Sequence, residues 1–201
     1  MAIKAIVFDI GGVLEITPRT GWQQKWEKNL KLEAGQLREK MYNTWRAGSI
    51  GTISLDQVLN QTTAVLEITP EQTKQLMDDL WQEYLGSLNV ELYDYFKSLR
   101  PRFTTAILSN SFVGAREKEQ QAYGFEDSCD LIIYSHEVGM SKPDPQIYML
   151  TCEKLQLNPN EIIFVDDAKV IIDAANACGL HGIQFIDNQQ TISEIEALII
   201  A

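Results

Sequence analysis

Cysteine, histidine and basic residues are all scarce in this 201-residue chain. The three cysteines, Cys129, Cys152 and Cys178, form no CxxC pair. An odd, unpaired set fits a reduced cytoplasmic protein and argues against a disulfide scaffold. The two histidines, His136 and His181, are not spaced as a metal-binding pair and read as structural or surface residues. Lys and Arg number 17 against 28 Asp and Glu, a formal net charge of -11. That balance argues against a nucleic-acid partner. It does not forbid a small anionic substrate, because a few local cations or a bound metal dominate the field near a site. No run of about 18 apolar residues exists, so no membrane segment is expected. The first 16 residues are apolar but carry Asp9 and lack a small-residue cleavage site, unlike a secretory signal. Internal repeats and low-complexity stretches are also missing.

What is present is the composition of an ordinary globular chain, 45% apolar and 22% charged. Its length suits one domain, or a core carrying a smaller insertion. Five nearly continuous apolar stretches, at residues 3–8, 103–108, 131–134, 162–165 and 182–186, read as strands. Continuous rather than alternating apolar character is expected of parallel strands covered on both faces. Helical patterns separate them. Asn89 is placed to cap a helix that Pro101 stops, and another over residues 113–123 ends at Gly124. Asp144-Pro145 opens a third, and residues 170–178 before Gly179 supply a fourth. The alternation predicts an α/β fold with a doubly wound, parallel, five-stranded, Rossmann-like sheet.

Residues 17–86 break this rhythm with helical periodicity and no convincing strand. Trp22, Trp26 and Leu30 share one face; Leu37, Met41 and Trp45 share another; Leu76, Met77, Leu80, Trp81, Tyr84 and Leu85 form a third stripe. Ser54 with Gln57, and Thr69 with Gln72, are capping-box signatures. These aromatic stripes read as core rather than as a cofactor site. The expectation is a four-helix cap at 17–86 inserted into a catalytic core made of 1–16 and 87–201.

In an open parallel sheet, chemistry gathers at the carboxyl ends of the strands. The first predicted strand is followed by Asp9, Ile10, Gly11 and Gly12, and the second by Ser109 and Asn110. Ser141-Lys142-Pro143 follows the third after a short loop, and Asp166-Asp167 ends the fourth. Each has a dull reading alone, as a helix cap, a turn residue or a solvated charge. Four such coincidences at consecutive strand ends favour a site. Carboxylates from two strand ends make a hard-oxygen site suited to magnesium. A carboxylate beside such an ion can attack a phosphoryl group, while a lysine, a hydroxyl and backbone amides hold its oxygens. The residues alone imply metal-assisted transfer or hydrolysis of a small phosphorylated metabolite.

Four segments in this order resemble the haloacid dehalogenase superfamily: FDIGGVL at 8–14, LSNS at 108–111, SKPDPQIY at 141–148 and FVDDA at 164–168. The resemblance implies a sheet ordered fifth, fourth, first, second, third strand, with a helical cap between the first two motifs. It implies that Asp9 is the nucleophile and a magnesium ligand, joined by Asp166 and the Gly11 carbonyl, with Asp167 an outer partner of the metal. Ser109, Asn110 and Lys142 are expected to bind the phosphoryl group. Two positions depart from the pattern. Gly11 stands where phosphatases of the superfamily usually carry an Asp that acts as general acid and base, and Ile171 replaces the usual Asn or Asp of the fourth motif. Loss of a general acid costs about 10²–10⁴ in rate. The leading reading is therefore a magnesium-dependent phosphatase of small phosphate monoesters, slow for want of that acid. A non-catalytic protein binding a phosphorylated metabolite and a halide-removing enzyme stay open beside it. Arg19 is the one cation in the 17–22 linker, and Glu15 lies near Gly11 in sequence.

Overall fold

The computed structural model describes residues 2–200. Its main sheet is built from β1 (Ala5–Phe8), β4 (Thr104–Ser109), β5 (Leu131–Tyr134), β6 (Ile162–Asp166) and β7 (His181–Gln184). All neighbours pair in parallel, in the order β5-β4-β1-β6-β7. With the five strands counted along the chain, this is the expected order. The strands lie within a residue or two of their expected bounds.

The sheet is buried on both faces because its strands are apolar at both parities. Ile6, Phe8, Ile107, Ile163 and Val165 point to one side, where Leu92 and Phe96 of α5 (Val90–Ser98) and Ile195 of α11 (Asn188–Ile200) cover them. Val7, Ala106, Leu108 and Phe164 point to the other. There they meet Ile147 and Tyr148 of α9 (Pro145–Leu155) and Ile172 and Ala175 of α10 (Lys169–Ala177). Each fully buried large side chain contributes about 1.5–3 kcal/mol. Asp144 caps α9 as expected, accepting a 2.9 Å bond from Gln146 N. Asn89 does not cap α5. Its amide instead donates to the Val13 carbonyl at 3.0 Å and to Asn188 at 2.8 Å, tying the chain's return from the insertion to α11.

Between β1 and β4 lie four helices, α1 (Trp22–Asn29), α2 (Gln36–Ser49), α3 (Leu55–Leu66) and α4 (Pro70–Leu85). Both capping boxes form. The three stripes converge on one cluster that buries Trp22, Trp26, Leu37, Met41, Leu76 and Trp81. Where the chain leaves and re-enters the core, β2 (Glu15–Ile16) and β3 (Ser87–Leu88) make a small antiparallel ladder that the sequence pattern did not announce. Two-residue strands are too short to show periodicity. Between β4 and β5 stand α6 (Ala115–Tyr123) and α7 (Phe125–Ser128); α8 (Ser135–Val138) follows β5. Among the described residues no helix is long and apolar enough to cross a membrane. The three cysteines are free, two buried and Cys178 half-buried.

The helical layer is held on the sheet by backbone contacts from the end of α2. Val113 N donates to Gly48 O at 3.2 Å, and Ser135 Oγ to Ser49 O at 2.8 Å. Gly51, at φ +67°, lies so close to α8 that a Cβ there would fall 1.7 Å from the His136 carbonyl oxygen. Gly51→Ala is therefore expected to lower stability by about 2–4 kcal/mol, from left-handed strain plus overlap with backbone. Urea unfolding of both forms checks it; an unchanged midpoint would show that the contact yields without cost.

Candidate active site

β1 and β6 are adjacent and in register, with Phe8 opposite Val165, so the residues that follow them emerge side by side. Asp9 and Asp166 are therefore neighbours by topology, both buried. Lys142 reaches between them from the loop after α8. Its Nζ lies 2.8 Å from Asp9 Oδ1 and 2.6 Å from Asp166 Oδ2, and its side chain is 0% exposed. The ammonium also sits 5.4 Å from the centre of the Phe164 ring. Asn110 fixes the lysine's backbone, its Nδ2 donating to Lys142 O at 2.9 Å and its Oδ1 accepting from Lys142 N at 2.8 Å. The Asn110 side chain is thus committed to holding Lys142. Ser109 is buried at the end of β4, paired in register with Tyr134.

Asp167 completes the cluster from an exposed position. Ligand oxygens of Asp9, Asp166 and Asp167 all lie within 4.8 Å of one another. Burial pushes the Asp9 carboxyl up to about 7, against the pull of Lys142, and Asp166 adds to the rise. Asp167 is raised too, by burial and then by Asp166. Three carboxyl groups gathered at one point, two of them paired with a single ammonium, make an oxygen-only site. That donor set fits a hard dication such as magnesium. Gly11 lies beside Asp167 in the wall of the same depression.

Next to this centre the structure brings up a residue that the sequence indicated only by proximity. Glu15 is 1% exposed and lies with Oε2 3.9 Å from where a side chain at Gly11 would begin. Its Oε2 accepts from Thr17 Oγ1 at 2.7 Å, while Oε1 is buried without a hydrogen-bond partner. Burial pushes this carboxyl up to about 7. Gly86 makes room for it, since a Cβ at 86 would fall 1.6 Å from Oε1. Ile171 does not face the site. It is packed against the core on the α10 side, and its carbonyl accepts from Tyr148 Oη at 2.9 Å.

Near the strand ends a pocket of about 470 Å³ opens under the helices, lined by Ser111 and Phe112 from the core side, by Thr17 where the chain enters the insertion, and by α1, α2 and α4. Its cations are Arg38 and Arg46 of α2; Arg19 is exposed and does not line it. Arg38, Tyr42, Trp45, Arg46 and Ser49 recur at helical spacing on α2, a pattern visible in the sequence but masked there by the stronger apolar stripe. His136 is structural, as expected, its Nδ1 2.6 Å from Ser111 Oγ.

A second buried carboxyl ties the helical layer to the core. Glu119 of α6 accepts from Tyr134 Oη at 2.5 Å and also from Tyr84 of α4, and burial pushes it up to about 7, with Arg116 opposing. The folded state thus keeps a proton between pH 4.5 and 7 that the unfolded chain releases. Ionisation of Glu119 therefore makes stability fall as pH rises through that window. A glutamine side chain at this position keeps the acceptor and cannot ionise. Glu119→Gln should match the parent near pH 4.5 and exceed it by about 1–3 kcal/mol at pH 8. Paired urea titrations at the two pH values decide, and a variant no more stable at pH 8 than its parent sinks the assignment.

Comparison with known proteins agrees with this geometry. Residues 3–179 match the model of the haloacid dehalogenase-like hydrolases. The chain is 28% identical over 192 residues to the D-ribitol-5-phosphate phosphatase of Bacteroides thetaiotaomicron, covering 90% of this chain and 91% of that one. It is equally 28% identical over 218 residues to bifunctional epoxide hydrolase 2 of Sus scrofa, spanning 98% of this chain and 39% of that longer protein. Among solved structures, a HAD family enzyme of Bacteroides thetaiotaomicron in complex with magnesium superposes with a TM-score of 0.79, 21% identity and coverage of 92% and 94% of the two chains. The chain belongs to the haloacid dehalogenase-like hydrolase family.

Proposed function

We propose that the protein is a magnesium-dependent phosphatase of small phosphate monoesters, working through an aspartyl-phosphate at Asp9. The observation that carries this is the cluster of three carboxylates at adjacent strand ends, two of them paired with the buried Lys142. We read residues 1–16 and 87–201 as the catalytic core, 17–86 as its cap, and the free cysteines as supporting a cytoplasmic location. Two relatives named as phosphatases, each matched over most of both chains, support the reaction class. Halide removal from carbon needs no dication and leaves Asp167 beside Asp166 without a role. Gly11 and Ile171 keep a binding protein without turnover as the second reading.

In this reaction an Asp9 carboxylate oxygen attacks phosphorus; the new P–O bond forms as the bond to the leaving oxygen breaks. Water then attacks the acyl phosphate, releasing inorganic phosphate and regenerating the carboxylate. Asp9, Asp166, Asp167 and the Gly11 carbonyl would hold magnesium, which when bound supplies Lewis-acid stabilisation of the phosphoryl oxygens. Lys142 offsets negative charge and keeps Asp9 in place. The Ser109 hydroxyl and the Asn110 main-chain N–H are donors for the remaining oxygens.

Asp9→Asn should lower p-nitrophenyl phosphate turnover in magnesium by about 10³-fold or more while leaving the far-ultraviolet circular dichroism unchanged. Wild-type turnover by this variant, or full activity of the parent in chelator, overturns the reading.

The missing acid at position 11 sets a second test. An alkoxide must leave unprotonated or take a proton from elsewhere, whereas an aryl oxide needs none. The rate should therefore fall steeply as leaving-group pKa rises across a series of phosphate esters. Gly11 is not in the left-handed region, and a Cβ there meets nothing nearer than Glu15 Oε2 at 3.9 Å. Gly11→Asp is thus accommodated and should flatten the dependence by restoring part of the 10²–10⁴ that a general acid contributes, about tenfold or more for alkyl esters. A flat dependence in the parent, with chemistry limiting, would mean that another group donates the proton, and loss of alkyl-ester turnover in Glu15→Gln would identify it.

A further inference from the structure

The pocket over the strand ends has a chemistry that the phosphoryl centre does not require. Its walls are mostly apolar, from Trp22, Tyr42, Trp45, Leu80, Tyr84 and Phe112. Two guanidinium groups face the same space. Arg38 makes no ion pair or hydrogen bond among the described residues, and Arg46 donates only to Ser141 Oγ, at 3.2 Å. The lining holds one carboxylate, Glu83, on the α4 wall, where its Oε2 accepts from Thr20 N and Oγ1 at 2.7 and 2.6 Å. Trp45 adds an indole N–H that is buried without an acceptor. Arg100 and Arg116, by contrast, find carboxylates, the first with Asp130 and the second with Glu126 and Glu137. Arg19 and Arg102 likewise show no carboxylate partner among the described residues; what sets Arg38 and Arg46 apart is that they stand together in one pocket walled by aromatic side chains.

Arg46 also gives the pocket its bearing. Its partner Ser141 directly precedes Lys142, and Ser111 in the pocket floor lies two residues beyond Ser109. None of the pocket's lining residues belongs to the carboxylate centre itself, but these neighbours set the two side by side, and a substrate with its phosphoryl group on Asp9 would extend its leaving group between α2 and α4. The volume, about 470 Å³, holds a ring with one substituent. An alditol or sugar would present several hydroxyls to these walls and leave both guanidinium groups unmatched.

We propose that this pocket selects phosphate monoesters whose leaving group is an aromatic ring bearing a second anionic group, stacked between the α2 and α4 aromatics and met by Arg38 and Arg46. The proposal rests on the phosphatase reading for its turnover and on the pocket alone for its binding. Guanidinium bonds to a carboxylate are charge-assisted and bidentate, so losing the charge costs about tenfold in affinity or more.

The test separates the two. Turnover is compared for 4-(carboxymethyl)phenyl phosphate and its methyl ester, which differ in charge while the methylene keeps their leaving groups similar. Calorimetric binding is measured in parallel for the non-hydrolysable 4-(phosphonomethyl)phenylacetate and its methyl ester. The free acids should be preferred about tenfold, through KM in the first pair and Kd in the second. Arg38→Gln and Arg46→Gln should each shrink that preference toward one; Arg38 is exposed, so its loss leaves the helix core intact. Equal affinity of acid and ester, a preference that survives both substitutions, or a higher kcat/KM for ribitol 5-phosphate overturns the proposal. Preferred binding of the phosphonate acid without turnover of any ester upholds the pocket and removes the phosphatase reading instead.

Discussion

The Lys142 ammonium, shut from solvent between Asp9 and Asp166, is the constraint on which the site depends. A lysine at 0% exposure costs several kcal/mol of desolvation unless oppositely charged groups surround it. Here the partners come from two adjacent strand ends, and the lysine itself comes from a loop beyond a third. The pairing therefore requires β1 and β6 to be in register and the loop to be anchored, which Asn110 does by bonding both the N–H and the C=O of Lys142. Such a buried triad is a poor source of stability, because apolar side chains would pack there at less cost. Its retention points to chemistry. The carboxyl oxygens of Asp9, Asp166 and Asp167 gathered within 4.8 Å of one another are the donor set that suits the site to a dication.

Helix α2 carries two burdens on different faces. Its C-terminal end docks on the core through Gly48, Ser49 and the turn at Gly51, while Leu37 and Met41 fill the helical layer's own core. Arg38, Tyr42, Trp45 and Arg46 are left to face the pocket. Any shift of α2 on the sheet thus moves the pocket wall relative to Lys142, since Arg46 reaches Ser141 in the same stroke. Specificity and docking are mechanically joined in one element. The Glu119 contact to Tyr84 and Tyr134 adds a second tie between the layers, sensitive to the protonation of one buried carboxyl.

The sheet was legible in the sequence because parallel strands buried on both faces carry an apolar signal in every residue. The site was legible for a related reason: strand ends in such a sheet are where side chains converge, and Asp9, Ser109, Lys142 and Asp166 follow strands that could be read. What escaped has physical causes. The helix α11 shows only a weak apolar stripe, with Thr191 and Ile195 as its buried positions. The β2–β3 ladder is two residues long, below any period. Asn89 looked like a cap, but a side chain that can reach both Val13 and Asn188 makes those bonds instead. The face of Arg38 and Arg46 on α2 was masked by its stronger apolar stripe, and the contact of Arg46 with Ser141, 95 residues away, has no local signal. The buried pairing of Glu119 with two tyrosines has no local signature at all.

An acidic chain that is to take a phosphorylated substrate, as proposed, needs a local reversal of its field. Burial pushes the carboxyls of Asp9, Glu15 and Glu119 each up to about 7, which lowers the cost of gathering acidic groups near the site. Lys142 then offsets charge at the centre, a dication would offset more, and Arg38 and Arg46 set positive charge at the pocket. The same burial that raises the carboxyls excludes water, which strengthens each remaining electrostatic contact. Charge, burial and topology thus act at one place, and the missing acid at Gly11 is the single element of proton transfer that they leave to the substrate or to Glu15.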